Sequence, residues 1–294
     1  MNLRHSLRIF ALPATLLALS ASAQAPSTPP ATPTQAAVPQ DAPLNPALPT
    51  GFIVGDSTAR NNVDLGWGDH FAPFFDTTRI NVANRSRAGR SSRSYYNEGL
   101  WAHTLSEIKP GDYVLFQMGH NDGGGTADTV LHDAKSRTSI HSLGDETVDV
   151  PILKPFTTGP LAGLTVETVH TYGWYMRKYF ADTRAKGATP ILLTPTIRNV
   201  WKPDAAGTPQ IERDMGFRDI DTQLAAAEHV PLADMATVAA DRLQALGPTQ
   251  TALLFPIDHT HSSAIGAEAN AHDVTIALRR IHSPLAAYLK PDGQ

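Results

Sequence analysis

A serine in Gly55-Asp56-Ser57-Thr58, an asparagine in Gly119-His120-Asn121-Asp122 and a histidine in Asp258-His259-Thr260-His261 have the types and spacing for acyl transfer. A serine hydroxyl is a weak nucleophile and needs a base. Among 12 histidines, His261 stands apart because Asp258 lies three positions before it. A short loop there folds the carboxylate onto one imidazole nitrogen and leaves the other to take the serine proton. The oxyanion that develops on attack needs donors. Ser57 N–H at a strand-to-helix turn, the Asn121 side-chain amide and the bare N–H of Gly89, in Ala88-Gly89-Arg90, can supply them.

Each residue also has an ordinary structural reading. Asp56 and Ser57 suit a helix N-cap. Asp258 suits an Asx turn or a cap before the last helix, Asn121 a turn before glycines, and Gly89 a left-handed turn. Asp258, His259 and His261 can also be read as a metal set. They lack a further spaced ligand, and no metal is expected. What favours the chemical reading is that the pieces together fill every role in ester hydrolysis.

The elements that position them read as α/β. Short apolar runs at 52–54, 80–83, 113–118, 191–194 and 230–233 predict buried parallel strands. Between the third and fourth, Val166, Val169, Gly173, Met176 and Phe180 recur at helical spacing, which predicts a helix over 166–186 stopped by Gly187. Further helices are expected over 217–228 and 264–281. Strand–helix alternation implies right-handed crossovers, with ligands bound beyond the carboxyl ends of the strands. Asp56-Ser57, residues 84–89, Gly119 to Asp122 and residues 196–199 all follow predicted strands.

Composition narrows the function. The chain has 294 residues, 24 Lys plus Arg against 28 Asp plus Glu, 41% apolar residues and no cysteine. An acidic chain without a basic block is a poor nucleic-acid binder. The absence of cysteine excludes disulfides, thiolate zinc sites and a cysteine nucleophile. Arg4 and Arg8, an apolar run from Ile9 to Leu19 and Ala21-Ser22-Ala23 predict a signal peptide over 1–23, hence a secreted or periplasmic protein. The run is too short to span a bilayer, and no membrane association is expected once it is removed. Residues 24–50 are rich in Pro, Ala and Thr and predict an extended spacer. The folded unit is expected over 51–294.

Gly55-Asp56-Ser57-Thr58-Ala59, Ala88-Gly89-Arg90-Ser91-Ser92-Arg93-Ser94, Gly119-His120-Asn121-Asp122-Gly123-Gly124 and Phe255-Pro256-Ile257-Asp258-His259-Thr260-His261 resemble the motif blocks of the SGNH (GDSL-like) hydrolases, in order. More narrowly, they are similar to the rhamnogalacturonan acetylesterase-like carbohydrate esterases. The resemblance runs from about Phe52 to Ala271. It implies a flavodoxin-like three-layer α/β/α sandwich with a five-stranded parallel sheet. It also implies Ser57 as nucleophile, Asp258 and His261 completing the triad, and Ser57 N–H, Gly89 N–H and Asn121 as the oxyanion hole. No cofactor is implied. The substrate it implies is an acetylated polysaccharide or oligosaccharide, rhamnogalacturonan or another pectin foremost. The segment between Gly125 and Val166, with His132 and His141, looks like an insertion beside the site.

Arg87, Arg90 and Arg93 after the second strand and Arg198 after the fourth suit galacturonate carboxylates, or equally structural pairing with nearby acids. Trp201 can stack on a sugar ring, whereas Trp67 reads as core beneath the nucleophile turn. No long apolar run for a fatty acyl chain lies near the motifs. Two other readings stay open: a lipase- or thioesterase-like hydrolase of the same superfamily, and a non-catalytic carbohydrate-binding protein on the same fold.

Overall fold

The computed structural model describes residues 43–62, 64–123, 137–157, 159–214 and 216–291. The chain divides into units at 1–35 and 36–294, and the first lies outside the described residues. So do the predicted signal peptide, most of the predicted spacer, and residues 124–136, which contain His132.

The apolar runs form β1 (Thr50–Gly55), β2 (Asn81–Asn84) and β3 (Tyr113–Gln117). An antiparallel hairpin follows, β4 (Val148–Pro151) with β5 (Val166–Val169), and then β6 (Thr189–Leu193). A second hairpin pairs β7 (Trp201–Pro203) with β8 (Pro209–Ile211), and β9 (Leu232–Ala233) is a two-residue strand. The helices are α1 (Ser92–Asn97), α2 (Leu100–Glu107), α3 (Tyr172–Ala185), α4 (Arg218–Glu228), α5 (Met235–Leu253) and α6 (Ala264–Arg280). Strands β2-β1-β3-β6-β9 make one five-stranded sheet, parallel throughout. Central position leaves Phe52, Ile53 and Val54 at 0% exposure, so the run is apolar on both faces.

Alternation along these strands divides the core. Phe52, Val54, Val114, Phe116 and Leu192 face α1 to α4, where the Phe116 and Tyr179 rings stack with centroids 5.6 Å apart. Ile53, Leu115, Ile191, Leu193 and Ala233 face α5, α6 and the turn holding Trp67. This is a three-layer α/β/α sandwich whose strand order is flavodoxin-like.

The structure departs from the sequence reading in places with identifiable causes. The helix expected from 166 begins only at Tyr172. Residues 166–169 alternate exposed and buried, with Glu167 and Val169 turned inward, and form β5. Thr171 then caps α3 by accepting from Trp174 N–H at 2.9 Å. Helix α5 was not anticipated because Gly247 and Pro248 break its pattern; Gly247 is non-helical and kinks it. Order also begins upstream of Gly51. Leu44 packs on the core, Asn45 N–H donates to Asn81 Oδ1 at 2.9 Å, and Lys109 Nζ donates to Leu48 O at 2.6 Å.

The β4–β5 hairpin is tied down by a buried ion pair. Arg93 on α1 and Glu167 on β5 are each 1% exposed and meet through Nε–Oε1 at 2.7 Å and Nη2–Oε2 at 2.6 Å. Asn97 adds a bond to Glu167 at 2.6 Å. Removing one partner strands the other charge in the interior. Glu167→Ala should therefore lower the unfolding free energy by about 3–5 kcal/mol in denaturant titration. A loss below about 1 kcal/mol would mean the Arg93 guanidinium reaches water.

Candidate active site

Ser57 lies two residues beyond the end of β1 and is 8% exposed. The helix expected after it is a single turn instead. Arg60 N–H donates to Asp56 O at 3.0 Å, Thr58 N–H donates to Asp56 Oδ1 at 2.8 Å, and Asn62 then turns left-handed at φ 48°. The Asp56 carboxylate thus closes the nucleophile turn. Trp67 lies beneath it at 0% exposure, its indole N–H on Gln117 Oε1 at 3.0 Å.

His261 arrives from a loop some two hundred positions away in sequence. Phe255 anchors the start of that loop in the Ile197 cluster, and Asn199 N–H donates to His259 O at 2.7 Å. Within the loop, Asp258 Oδ1 accepts from the N–H groups of Thr260 and His261, both at 2.7 Å. Its Oδ2 lies 2.7 Å from His261 Nδ1, and His261 Nε2 lies 2.9 Å from Ser57 Oγ. The expected meeting of hydroxyl, imidazole and carboxylate is a continuous hydrogen-bonded chain. Partial burial acts to raise Asp258, but the bonds from the His261 ring, His261 N–H and Thr260 N–H outweigh it and hold the carboxyl well below its ordinary range.

The predicted oxyanion donors come from neighbouring loops. Gly89 sits at φ +77°, a conformation that suits a residue without Cβ, and follows β2. Ser57 N–H and Gly89 N–H have no hydrogen-bond partner among the described residues. Asn121 donates one amide hydrogen to Arg90 O at 3.0 Å, which orients the side chain and leaves the second hydrogen for a ligand. Gly119, at φ +126°, admits the Phe217 ring, whose Cγ would lie 2.8 Å from any Cβ there.

Behind these loops lie buried acids that sequence reading did not single out. Asp122 accepts from both the N–H and the hydroxyl of Ser92, from Ser139 Oγ at 2.9 Å and from Gly119 N–H at 3.1 Å. Burial pushes Asp56 and Asp122 up to about 6, against those hydrogen bonds. Burial, helped by the charges of Arg198 and His261, pushes His120 down to about 3. His120 is therefore neutral at ordinary pH, with Nε2 at 2.9 Å from Thr196 Oγ1.

The substrate candidates divide. Arg93 is spent on Glu167, and Arg90 pairs with Glu98 at 2.7 Å, so structural pairing accounts for both. Arg87 is exposed. Arg198 rests on His120 O at 3.3 Å, and its Nε has no partner among the described residues. Trp201 is half-buried on the Ile197 cluster, its N–H on Asn199 Oδ1 at 2.8 Å. Of the inserted segment, His141 lies edge-on to Phe217 at 4.7 Å, and Arg137 reaches Gly89 O at 3.4 Å. No group of three His, Asp or Glu among the described residues is arranged to hold a metal ion.

A parallel sheet in this order, with a hydroxyl, an imidazole and a carboxylate joined at its carboxyl edge, is the arrangement of a serine hydrolase on an α/β fold. Comparison with known proteins narrows this. No protein-family model matches the chain. It is 30% identical to a rhamnogalacturonan acetylesterase of Emericella nidulans over 76% of this chain and 81% of that protein. It is 26% identical to a probable rhamnogalacturonan acetylesterase, YesY, of Bacillus subtilis, over 80% of this chain and 94% of that one. The crystal structure of the Bacillus subtilis protein YxiM superposes with a TM-score of 0.60 at 23% identity, over 81% of this chain and 58% of that one. The chain belongs to the rhamnogalacturonan acetylesterase-like family of SGNH (GDSL-like) hydrolases, and it is a carboxylic ester hydrolase.

The buried Asp56 gives a pH signature. Its folded value, about 6, lies above its ordinary 3.8, so it favours folding below about pH 4 and loses that contribution as pH rises through 6. Asp56→Asn, nearly isosteric, should remove a decline of up to about 3 kcal/mol in unfolding free energy between pH 4 and 7. Urea titrations at both pH values test this. Identical pH dependence in the variant would place the Asp56 carboxyl in contact with solvent.

Proposed function

We propose that this chain is a serine acetylesterase that removes acetyl groups from a plant cell-wall polysaccharide, rhamnogalacturonan or another pectin first among them. The observation that carries the mechanism is the unbroken chain Ser57 Oγ–His261 Nε2, 2.9 Å, and His261 Nδ1–Asp258 Oδ2, 2.7 Å. The names of the relatives in Emericella and Bacillus support the substrate.

Ser57 Oγ attacks the acetyl carbonyl while its proton passes to His261 Nε2. Ser57 N–H, Gly89 N–H and the Asn121 amide receive the oxyanion. The imidazolium returns its proton to the departing sugar hydroxyl. Water, deprotonated by the same nitrogen, then attacks the acyl-serine and releases acetate. Asp258 stays ionised throughout, fixes the Nδ1–H tautomer and balances the imidazolium. Arg198 and Trp201 border this path as substrate contacts. The roles need no metal and no cofactor. Export by the residue 1–23 signal belongs to the same proposal, because the polymer lies outside the cell; fractionation of expressing cells checks it, and cytosolic retention would oppose it.

Ser57→Ala should abolish hydrolysis of an aryl acetate, and wild-type-like turnover would refute the mechanism. Asn121→Ala should lower kcat by about 10²–10³-fold, as loss of one oxyanion donor does. Activity should decline toward acid pH, since a protonated imidazole cannot accept the serine proton. Acetate release from a panel of acetylated pectins, xylans and small sugars tests the substrate. Preference for octanoyl over acetyl esters would indicate a lipase-like enzyme instead. Failure of a phosphonate to label Ser57 in folded protein would indicate a binding protein.

A further inference from the structure

We propose that Arg137 is a specificity-determining residue for this reaction: its guanidinium pairs with a carboxylate on the sugar that carries the acetyl ester, or on its neighbour. Uronate-containing substrates are thereby preferred over neutral ones. The inference rests on the reading above, in which the loop at Gly89 faces the reacting ester.

The pairing of the arginines on this face is uneven. Arg85, Arg90 and Arg93, on the segment around Gly89, are held by Glu107, Glu98 and Glu167. Arg137 is exposed, and its hydrogen bond is to a neutral acceptor, Gly89 O, at 3.4 Å. It has no acidic partner among the described residues. A guanidinium carries five donors, so most of its fork is uncommitted among the described residues.

The backbone beneath this head group is fixed. Thr138 O accepts from Arg93 Nη1 at 2.7 Å, and Arg93 is itself 1% exposed. Ser139 donates through N–H to Asp122 O at 3.2 Å and through Oγ to Asp122 Oδ1 at 2.9 Å. The buried Arg93–Glu167 pair and the buried Asp122 thus clamp residues 138 and 139 to the two loops that carry Gly89 and Asn121. Arg137 leaves this clamp beside the candidate oxyanion donor. An acetyl ester is uncharged and does not call for a cation there. A carboxylate on the sugar ring does, and its two oxygens match the guanidinium fork.

An exposed ion pair is worth about fivefold in binding and is weakened by salt. The test compares wild type, Arg137→Met and Arg137→Lys on an acetylated oligogalacturonide and on its carboxyl-methylated, neutral counterpart. In Arg137→Met the ratio of kcat/KM for anionic over neutral substrate should fall about fivefold, carried by KM, and Arg137→Lys should restore part of it. The wild-type preference should fade between about 0.05 and 0.5 M salt. An unchanged ratio in Arg137→Met, or an equal loss on both substrates, overturns the proposal. If wild type deacetylates neither oligosaccharide, the polysaccharide reading fails, and aryl-acetate hydrolysis still tests Arg137 through inhibition. Oligogalacturonate should then inhibit wild type about fivefold more tightly than Arg137→Met, with neutral galacto-oligosaccharide inhibiting both alike; equal inhibition of the two proteins by oligogalacturonate overturns the proposal.

Discussion

The site depends on a three-residue reach. Asp258 can bond both the N–H and the ring of His261 only because the loop between them turns back on itself, with Oδ1 collecting the N–H groups of Thr260 and His261 and Oδ2 facing Nδ1. That arrangement makes the carboxylate a fixed anion despite its partial burial. It also sets the direction of the imidazole, so that Nε2 points to Ser57. The rest of the fold serves to bring the end of β1 to this ring. The sheet does so by stacking parallel strands whose carboxyl ends share one edge, while the loop is held there by Asn199 N–H on His259 O and by Phe255 in its apolar cluster.

The second constraint is the set of buried carboxyls behind the loops. Asp56, Asp122 and Asp221 are each fully enclosed, and burial raises all of them. Such groups disfavour the folded state once ionised, so their presence must be offset by what they organise. Asp56 closes the turn after β1, Asp122 joins Ser92, Ser139 and Gly119, and Asp221 accepts from Tyr172 OH at 2.7 Å. Asp122 and Asp221 each tie segments that are distant in sequence, whereas Asp56 acts within its own turn. Apolar residues of like volume would pack there without this directional control.

What could be read from the sequence follows from the range of the interactions. The strands at 52–54 and 113–118 were legible because burial on both faces forces an apolar run. The Ser57, Asn121 and Asp258–His261 blocks were legible because each holds its chemistry within a few residues. The start of α3 was not, because Val166 and Val169 fit a helical spacing as well as a strand, and only the distant Arg93 makes Glu167 an inward residue. The turn after Ser57 reads as a helix start in the sequence for a related reason: Asp56 and Ser57 suit an N-cap, but Asp56 closes an isolated turn just as well. The fate of the arginines was illegible altogether. Arg90 and Arg93 carry the same charge three positions apart in one motif, yet their partners lie eight and 74 residues away.

Local rules fail most where the site lies. Asp56 Oδ2, Gln117 Nε2, His120 Nδ1 and Arg198 Nε, in the loops and strand ends around Ser57 and Asn121, are buried atoms without a hydrogen-bond partner among the described residues, as are His170 Nδ1 and Asp221 Oδ2 elsewhere. In most of a protein such atoms are paired, because leaving one unpaired costs about 1–3 kcal/mol. The four around Ser57 and Asn121 mean that this edge is not optimised for stability alone. The face of the sheet toward α5 and α6 is filled by Ile53, Leu115, Ile191 and Val274, and that apolar packing holds the frame on which the polar edge is carried.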